Sequence, residues 1–353
     1  ESSVPVVVTL TRDKIKLEDR AAKSEVYIPK DGPNKDQKLG VISIPTFYNN
    51  LHKDVKKEIE SLNEQDVQGI IVDLRGNGGG SLTESTLLSG LFIDKGPVVQ
   101  IRDGAGRIRL ETDVDGKVFY DGPLTVLVDR YSASASEIFA AAMQDYNRAL
   151  ILGEQTFGKG TVQQHRPLGR IYDLYENPLG SVQFTIAKFY RINGGSTQHK
   201  GVIPDILFPS VIDHADWGES QEENALPWDS IARANYTTFG ENKNTVKGLT
   251  DLHNQRIKKE FNYIYEDVER YKIKKEDKTI SLVETERLKE KSEIEGRNLM
   301  RTNERLARLG LEKVENLDDL PEELETVDPF LEEAANITYD VLTMGKYAIN
   351  SKK

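Results

Sequence analysis

Three short segments of this 353-residue chain bring together residue types that can do chemistry. The first, Asp73-Leu74-Arg75-Gly76-Asn77-Gly78-Gly79-Gly80, holds four glycines within its last five positions. Glycine adopts positive φ without a Cβ clash, so such a run can turn several N–H groups toward one point. Backed by a helix N-terminus, that nest could hold a phosphate or the oxyanion of a tetrahedral intermediate. A plain tight turn is the other reading. The second segment, Ser132-Ala133-Ser134-Ala135-Ser136-Glu137, falls between a predicted strand and a predicted helix. Small residues let a serine stand exposed at a sharp turn, but Ser136 with Glu137 equally makes a helix cap. On residue types alone, each of the three serines could be a cap or a nucleophile.

The third segment, Gly153-Glu154-Gln155-Thr156-Phe157-Gly158-Lys159-Gly160-Thr161, nearly matches the phosphate-binding pattern G-x-x-x-x-G-K-[ST]. Gly160 stands where the magnesium-binding hydroxyl belongs, and a strand-type run, Thr161-Val162-Gln163-Gln164, follows where a helix should open. A P-loop NTPase is therefore the weaker reading. Lys159, flanked by glycines and Phe157, could instead sit in a partly apolar site. Desolvation there favours the amine over the ammonium. A neutral lysine can take the proton of a serine hydroxyl, and serine with lysine can run acyl transfer without histidine. Of the five histidines only His165 lies near these loops, which leaves a serine–histidine hydrolase as a further option.

The elements that must position these loops alternate. Leu39–Ile44, Val67–Leu74, Leu124–Val128 and Ala149–Leu152 read as strands. Residues 51–63, with Leu51, Val55, Ile59 and Leu62 on one face, read as an amphipathic helix. Leu82–Phe92 and residues 135–147 read as two more helices. Val98–Arg102 and Ile108–Glu111 flank a hairpin signal, and Val182, Phe184 and Ile186 alternate as in a half-buried strand. This is an α/β core of strand–helix units. Before it, Val6–Thr11 looks like a lone strand, and Glu18–Gln37, with Pro29 and Pro33, like a connector. After residue 210 charge dominates. Residues 251–274, 281–308 and 328–347 read as solvated helices. Leu226-Pro227-Trp228-Asp229 is an apolar knot that should dock this part onto the core.

Composition narrows the classes. The net charge is −11, from 47 Lys and Arg against 58 Asp and Glu, which argues against a nucleic-acid partner. No stretch approaches the ~20 apolar residues that span a bilayer. Without cysteine, disulfides, zinc–thiolate sites and cysteine nucleophiles are excluded. The chain starts at Glu1 and displays no secretion signal, which points to a removed leader or to a piece of a longer protein.

Together, Val126–Ile138, Gly153-Glu154, Phe157–Gln163, Asn193–Gln198 and Gly201-Val202-Ile203-Pro204-Asp205 resemble the C-terminal processing peptidases. The charged C-terminal region, with Asn224–Asp229, is similar to that of the family's tail-specific branch. The resemblance implies a crotonase/Clp-like core over 38–210 and a mainly helical domain over 211–353. It also implies the last strand of a truncated PDZ domain over 1–12, then a connector over 13–37. The roles it implies are Ser134 as nucleophile and Lys159 as general base, with Gln163 positioning the lysine. Asp145 is implied in a charge-relay set, and Gly79, Gly80 and Ala135 in the oxyanion environment. Glu137 and Thr156 support activity or local structure. The family further implies a periplasmic endopeptidase acting on proteins with apolar, unstructured C-termini. It implies no metal or cofactor, and an adaptor lipoprotein as a partner. A catalytically silent peptide-binding scaffold is the alternative.

Overall fold

A computed structural model describes residues 20–29, 33–169, 179–240, 243–277, 279–308, 310–320 and 328–344. The strand expected at Val6–Thr11 lies outside the described residues. The chain runs β1 (Lys23–Tyr27), β2 (Leu39–Ser43), α1 (Leu51–Glu64), β3 (Ile70–Asp73), α2 (Leu82–Gly90), β4 (Gly96–Asp103) and β5 (Ile108–Asp113). Next come β6 (Leu124–Val128), α3 (Ala135–Asp145), β7 (Leu150–Gly153), β8 (Thr161–Pro167), β9 (Ser181–Tyr190) and β10 (Ile206–Leu207). Helices α4 (Lys243–Glu260), α5 (Asn262–Glu276), α6 (Glu284–Arg308) and α7 (Pro329–Met344) follow.

Two sheets organise the core. The first has the order β1-β2-β3-β6-β7-β10 and is parallel from β2 onward. Its antiparallel edge strand, β1, forms within the segment read as a connector, where Ser24 pairs with Ile42. The second sheet, β5-β4-β9-β8, is antiparallel. Helix α1 buries the four predicted residues Leu51, Val55, Ile59 and Leu62. It packs with α2 and α3 against one face of the parallel sheet, over Ile42, Ile70, Val72 and Val126.

The other face corrects an expectation. A parallel sheet is stable when both faces are covered, and the charged region supplies the second cover. Leu249 of α4 and Ala334, Ala335, Ile337, Tyr339 and Val341 of α7 bury Leu39, Val41, Ile71, Leu127, Leu152 and Phe208. These helices are therefore a layer of the core, not a solvated appendage. Helix α5, which buries none of its residues, and α6, with Leu306 its one buried residue, fit the solvated reading. The helix expected over 251–274 is broken at Phe261, which caps α5 and is buried beside Phe208 and Phe330.

Two further expectations differ in detail. Val182, Phe184 and Ile186 are 43%, 38% and 41% exposed. The outer half of the β8–β9 hairpin is exposed on both faces, because no layer among the described residues packs against it. The knot at Leu226–Asp229 does dock. Trp228 Nε1 donates to Ser196 O at 2.9 Å, and Asp229 receives Lys188, Arg102 and Tyr190. Among the described residues, no helix is long and apolar enough to cross a membrane.

Candidate active site

The three loops meet at the ends of β3, β6 and β7, adjacent parallel strands of one sheet. After β6, Asp129 ties the turn by accepting from the N–H groups of Tyr131 and Ser132 at 3.0 Å, and from Gly76 N of the glycine loop. Hydrogen bonding then separates the three serines. Ser132 Oγ donates to Leu74 O at 2.9 Å and Ser136 Oγ to Asn77 O at 2.8 Å, and both residues are fully buried. Each therefore fastens the serine loop to the glycine loop. Ser134 alone lines the cleft. Its backbone sits at φ 58°, ψ −111°, immediately before α3. A side-chain-bearing residue rarely occupies that region, and strain of this kind concentrates at functional turns.

The glycine loop reaches Ser134 because it lacks side chains. A Cβ on Gly79 would lie 2.8 Å from Ser134 Cβ and 2.7 Å from Ala133 O, and one on Gly80 2.3 Å from Phe47 O. The expected oxyanion donors need one correction. Gly79 N already donates to Asn77 Oδ1 at 2.9 Å. The N–H groups of Gly80 and Ala135 carry no hydrogen bond among the described residues, and both residues line the cleft. Asn77, which residue types alone do not single out, is the pivot of this loop. Fully buried, it also donates from Nδ2 to Ile44 O at 2.7 Å.

Lys159 follows β7 in a loop that runs directly into β8, so no helix opens behind it as a P-loop would require. Its Nζ donates to Gln163 Oε1 at 3.2 Å, and Gln183 Nε2 donates to the same oxygen at 2.8 Å. A register shift in the β8–β9 pairing between Val162 and Gln163 helps aim that amide. Lys159 and Gln163 line the same cleft of about 330 Å³ as Ser134, and no histidine does. Among the described residues no hydrogen bond joins Lys159 Nζ to Ser134 Oγ. Catalytic hydrogen bonds are often loose in an enzyme without substrate.

Glu137 staples the two loops together. Its fully buried carboxylate accepts from Thr156 Oγ1 (2.6 Å), Gly158 N (2.7 Å), Ser134 N (2.8 Å) and Lys159 N (2.9 Å). Burial pushes its carboxyl up to about 7, against the pull of these four donors toward the anion. Each oxygen already receives two donors, so the anion is the form that fits the site. Arg130–Glu154, with a 2.7 Å contact, and Phe157 N to Ser132 O at 3.0 Å complete the seam.

Asp145 is not brought to this site. It ends α3, which Ser134 precedes, so the two stand ~16 Å apart at 1.5 Å rise per residue. Its carboxylate holds Arg191 at 2.6 Å and Asn193 at 2.8 Å, a partly exposed clamp between α3 and the end of β9.

A strained serine and a lysine thus share one cleft on a parallel α/β core. Residues 38–208 match the model of peptidase family S41, and the chain belongs to that family. Residues 212–343 match the C-terminal domain of tail specific protease. The chain is 49% identical over 339 residues to the tail-specific protease of Haemophilus influenzae, which takes in 95% of this chain and 48% of that relative. It is 34% identical over 205 residues to a chloroplastic carboxyl-terminal-processing peptidase of Arabidopsis thaliana, 58% of this chain and 38% of the relative. It thus spans about half or less of the length of these curated relatives. A solved photosystem II D1 C-terminal processing protease aligns over 56% of this chain and 50% of its own, at 30% identity and a TM-score of 0.45.

Proposed function

We propose that this chain is the catalytic part of a serine endopeptidase working through Ser134 and Lys159. The observation that carries the reading is the shared cleft, lined both by Ser134, the one serine of its loop whose hydroxyl donates to no backbone carbonyl among the described residues, and by the lysine that Gln163 holds. Lys159, as the free amine, accepts the Ser134 hydroxyl proton while Oγ forms a bond to the scissile carbonyl carbon. The carbonyl electrons move to oxygen, and the N–H groups of Gly80 and Ala135 receive that oxyanion, each such donor contributing ~3 kcal/mol in comparable sites. Collapse breaks the C–N bond as Lys159 returns the proton to the leaving amine. Water, activated by the same amine, then hydrolyses the acyl ester. The substrates in this reading are proteins with apolar, unstructured C-termini, met in the bacterial periplasm with an adaptor lipoprotein. The name of the Haemophilus influenzae relative, a tail-specific protease, supports the choice of tailed substrates.

The test is the full-length protein acting on an unfolded substrate with an apolar tail. Ser134→Ala and Lys159→Ala should each lower kcat by at least ~10³-fold. Retained cleavage in either variant would sink the dyad.

A further inference from the structure

Just beyond the peptidase domain, residues 213–222 run as two short 3-10 turns, His214–Asp216 and Glu219–Gln221, laid across the backs of the two reactive loops. Trp217 Nε1 donates to Arg130 O at 3.1 Å, and its ring meets Tyr131 edge-on at 5.2 Å. Both partners lie in the turn leading to Ser134. On the lysine loop, His214 Nε2 lies 3.1 Å from Thr156 O, and Glu219 N donates to Phe157 O at 3.1 Å. Gly218 stands between these contacts at φ 95°, where a Cβ would come within 2.3 Å of Phe157 O. Only glycine permits so close an approach. Glu219 Oε1 also receives Gln198 Nε2 at 3.3 Å, while Gln198 Oε1 accepts from Gly160 N at 2.8 Å. Asp216 is ion-paired with Lys275 of α5, which anchors the segment to the helical region.

We propose that residues 214–219 form a clasp that keeps the Ser134 and Lys159 loops in register for catalysis, with Trp217 and Gln198 as positioning residues. The proposal rests on the reading of Ser134 and Lys159 as the reacting pair. Glu137 joins the two loops from inside, through N–H groups and a hydroxyl. The clasp joins them from outside, through the carbonyls of Arg130, Thr156 and Phe157. The peptidase domain therefore depends for the geometry of its site on a segment beyond it, and through Asp216 on α5.

The experiment measures Trp217→Ala, Trp217→Phe and Gly218→Ala in the full-length protein. The readouts are kcat and KM on the tailed substrate, thermal melting, and the rate of Ser134 acylation by a fluorophosphonate followed by intact mass. Per folded molecule, Trp217→Ala and Gly218→Ala should lower kcat and the acylation rate about tenfold or more while KM stays within about twofold, because small misplacements of reacting groups are costly. Trp217→Phe keeps the ring contact without the N–H donor and should fall between. Wild-type kcat and acylation in folded Trp217→Ala overturn the clasp, as does a loss fully accounted for by the unfolded fraction. If Gly218→Ala does not fold, the two Trp217 variants decide. Ser134→Ala, run in parallel, separates the two ideas: cleavage surviving there defeats the reading of Ser134 itself. An inactive Ser134→Ala with wild-type clasp variants defeats the clasp alone.

Discussion

Ser134 is held where its own side chain makes the backbone uncomfortable. At φ 58°, ψ −111° a residue with a Cβ pays a strain that glycine does not. The surroundings hold this conformation: Ala133 N donates to Asn77 O, Ser134 N donates to Glu137, and the Gly79 backbone lies so near that a Cβ on it would come within 2.8 Å of Ser134 Cβ. Ser134→Gly should therefore raise stability by roughly 1 kcal/mol while abolishing cleavage. Chemical denaturation of the two proteins checks this, and a destabilised glycine variant would show that the turn is unstrained.

At the scale of elements, the site is a seam between the turn entering α3 and the loop entering β8, closed by Glu137. Its carboxyl, raised by burial from an ordinary 4.5 to about 7, must be ionised to accept four donors. Activity should therefore rise as pH climbs through about 7, and Glu137→Gln should lose both that limb and most of kcat. A pH–kcat profile of the two proteins is the measurement, and an acidic limb that survives in the variant would assign it elsewhere. Stability moves the other way. Between about 4.5 and 7 the folded chain holds a proton at Glu137 that the unfolded chain has released, so this group's contribution falls as pH rises across that window.

For the whole molecule, the parallel sheet lies between α1–α3 on one side and α4 with α7 on the other. Helix α7 is in effect the last layer of the core, although it is more than 200 residues from β3 in sequence. Thr338 Oγ1 lies 2.9 Å from Thr125 Oγ1 of β6, and Tyr339 OH donates to Gln37 O at 2.9 Å. Ile337, fully buried on the sheet, should cost about 2–5 kcal/mol when cut to alanine. A single cooperative melt, shifted down and followed by both far-UV signal and activity, is the expected result. An unchanged melt would mean that α7 is not part of the folded core.

Most of the strands, helices α1 to α3 and the three loops were legible in the sequence because they are local, whereas β1 lay unseen in the segment read as a connector. Buried parallel strands read as short apolar runs, and α1 as a helical stripe of four residues. Glycine spacing likewise marked where backbone must come close. Residue types could not choose among Ser132, Ser134 and Ser136; the resemblance did. The physical reason lies in the tertiary structure, where two of the hydroxyls are used by carbonyls of a loop 58 and 59 residues away. Spacing also could not show that Asp145 points away at the far end of α3, nor that Gly79 has already given its N–H to Asn77. The charged helices read as solvated because their polar faces dominate the composition. Whether a narrow apolar stripe such as that of α7 meets water or a bare sheet is decided by what the rest of the chain leaves uncovered, and only the folded molecule contains that surface.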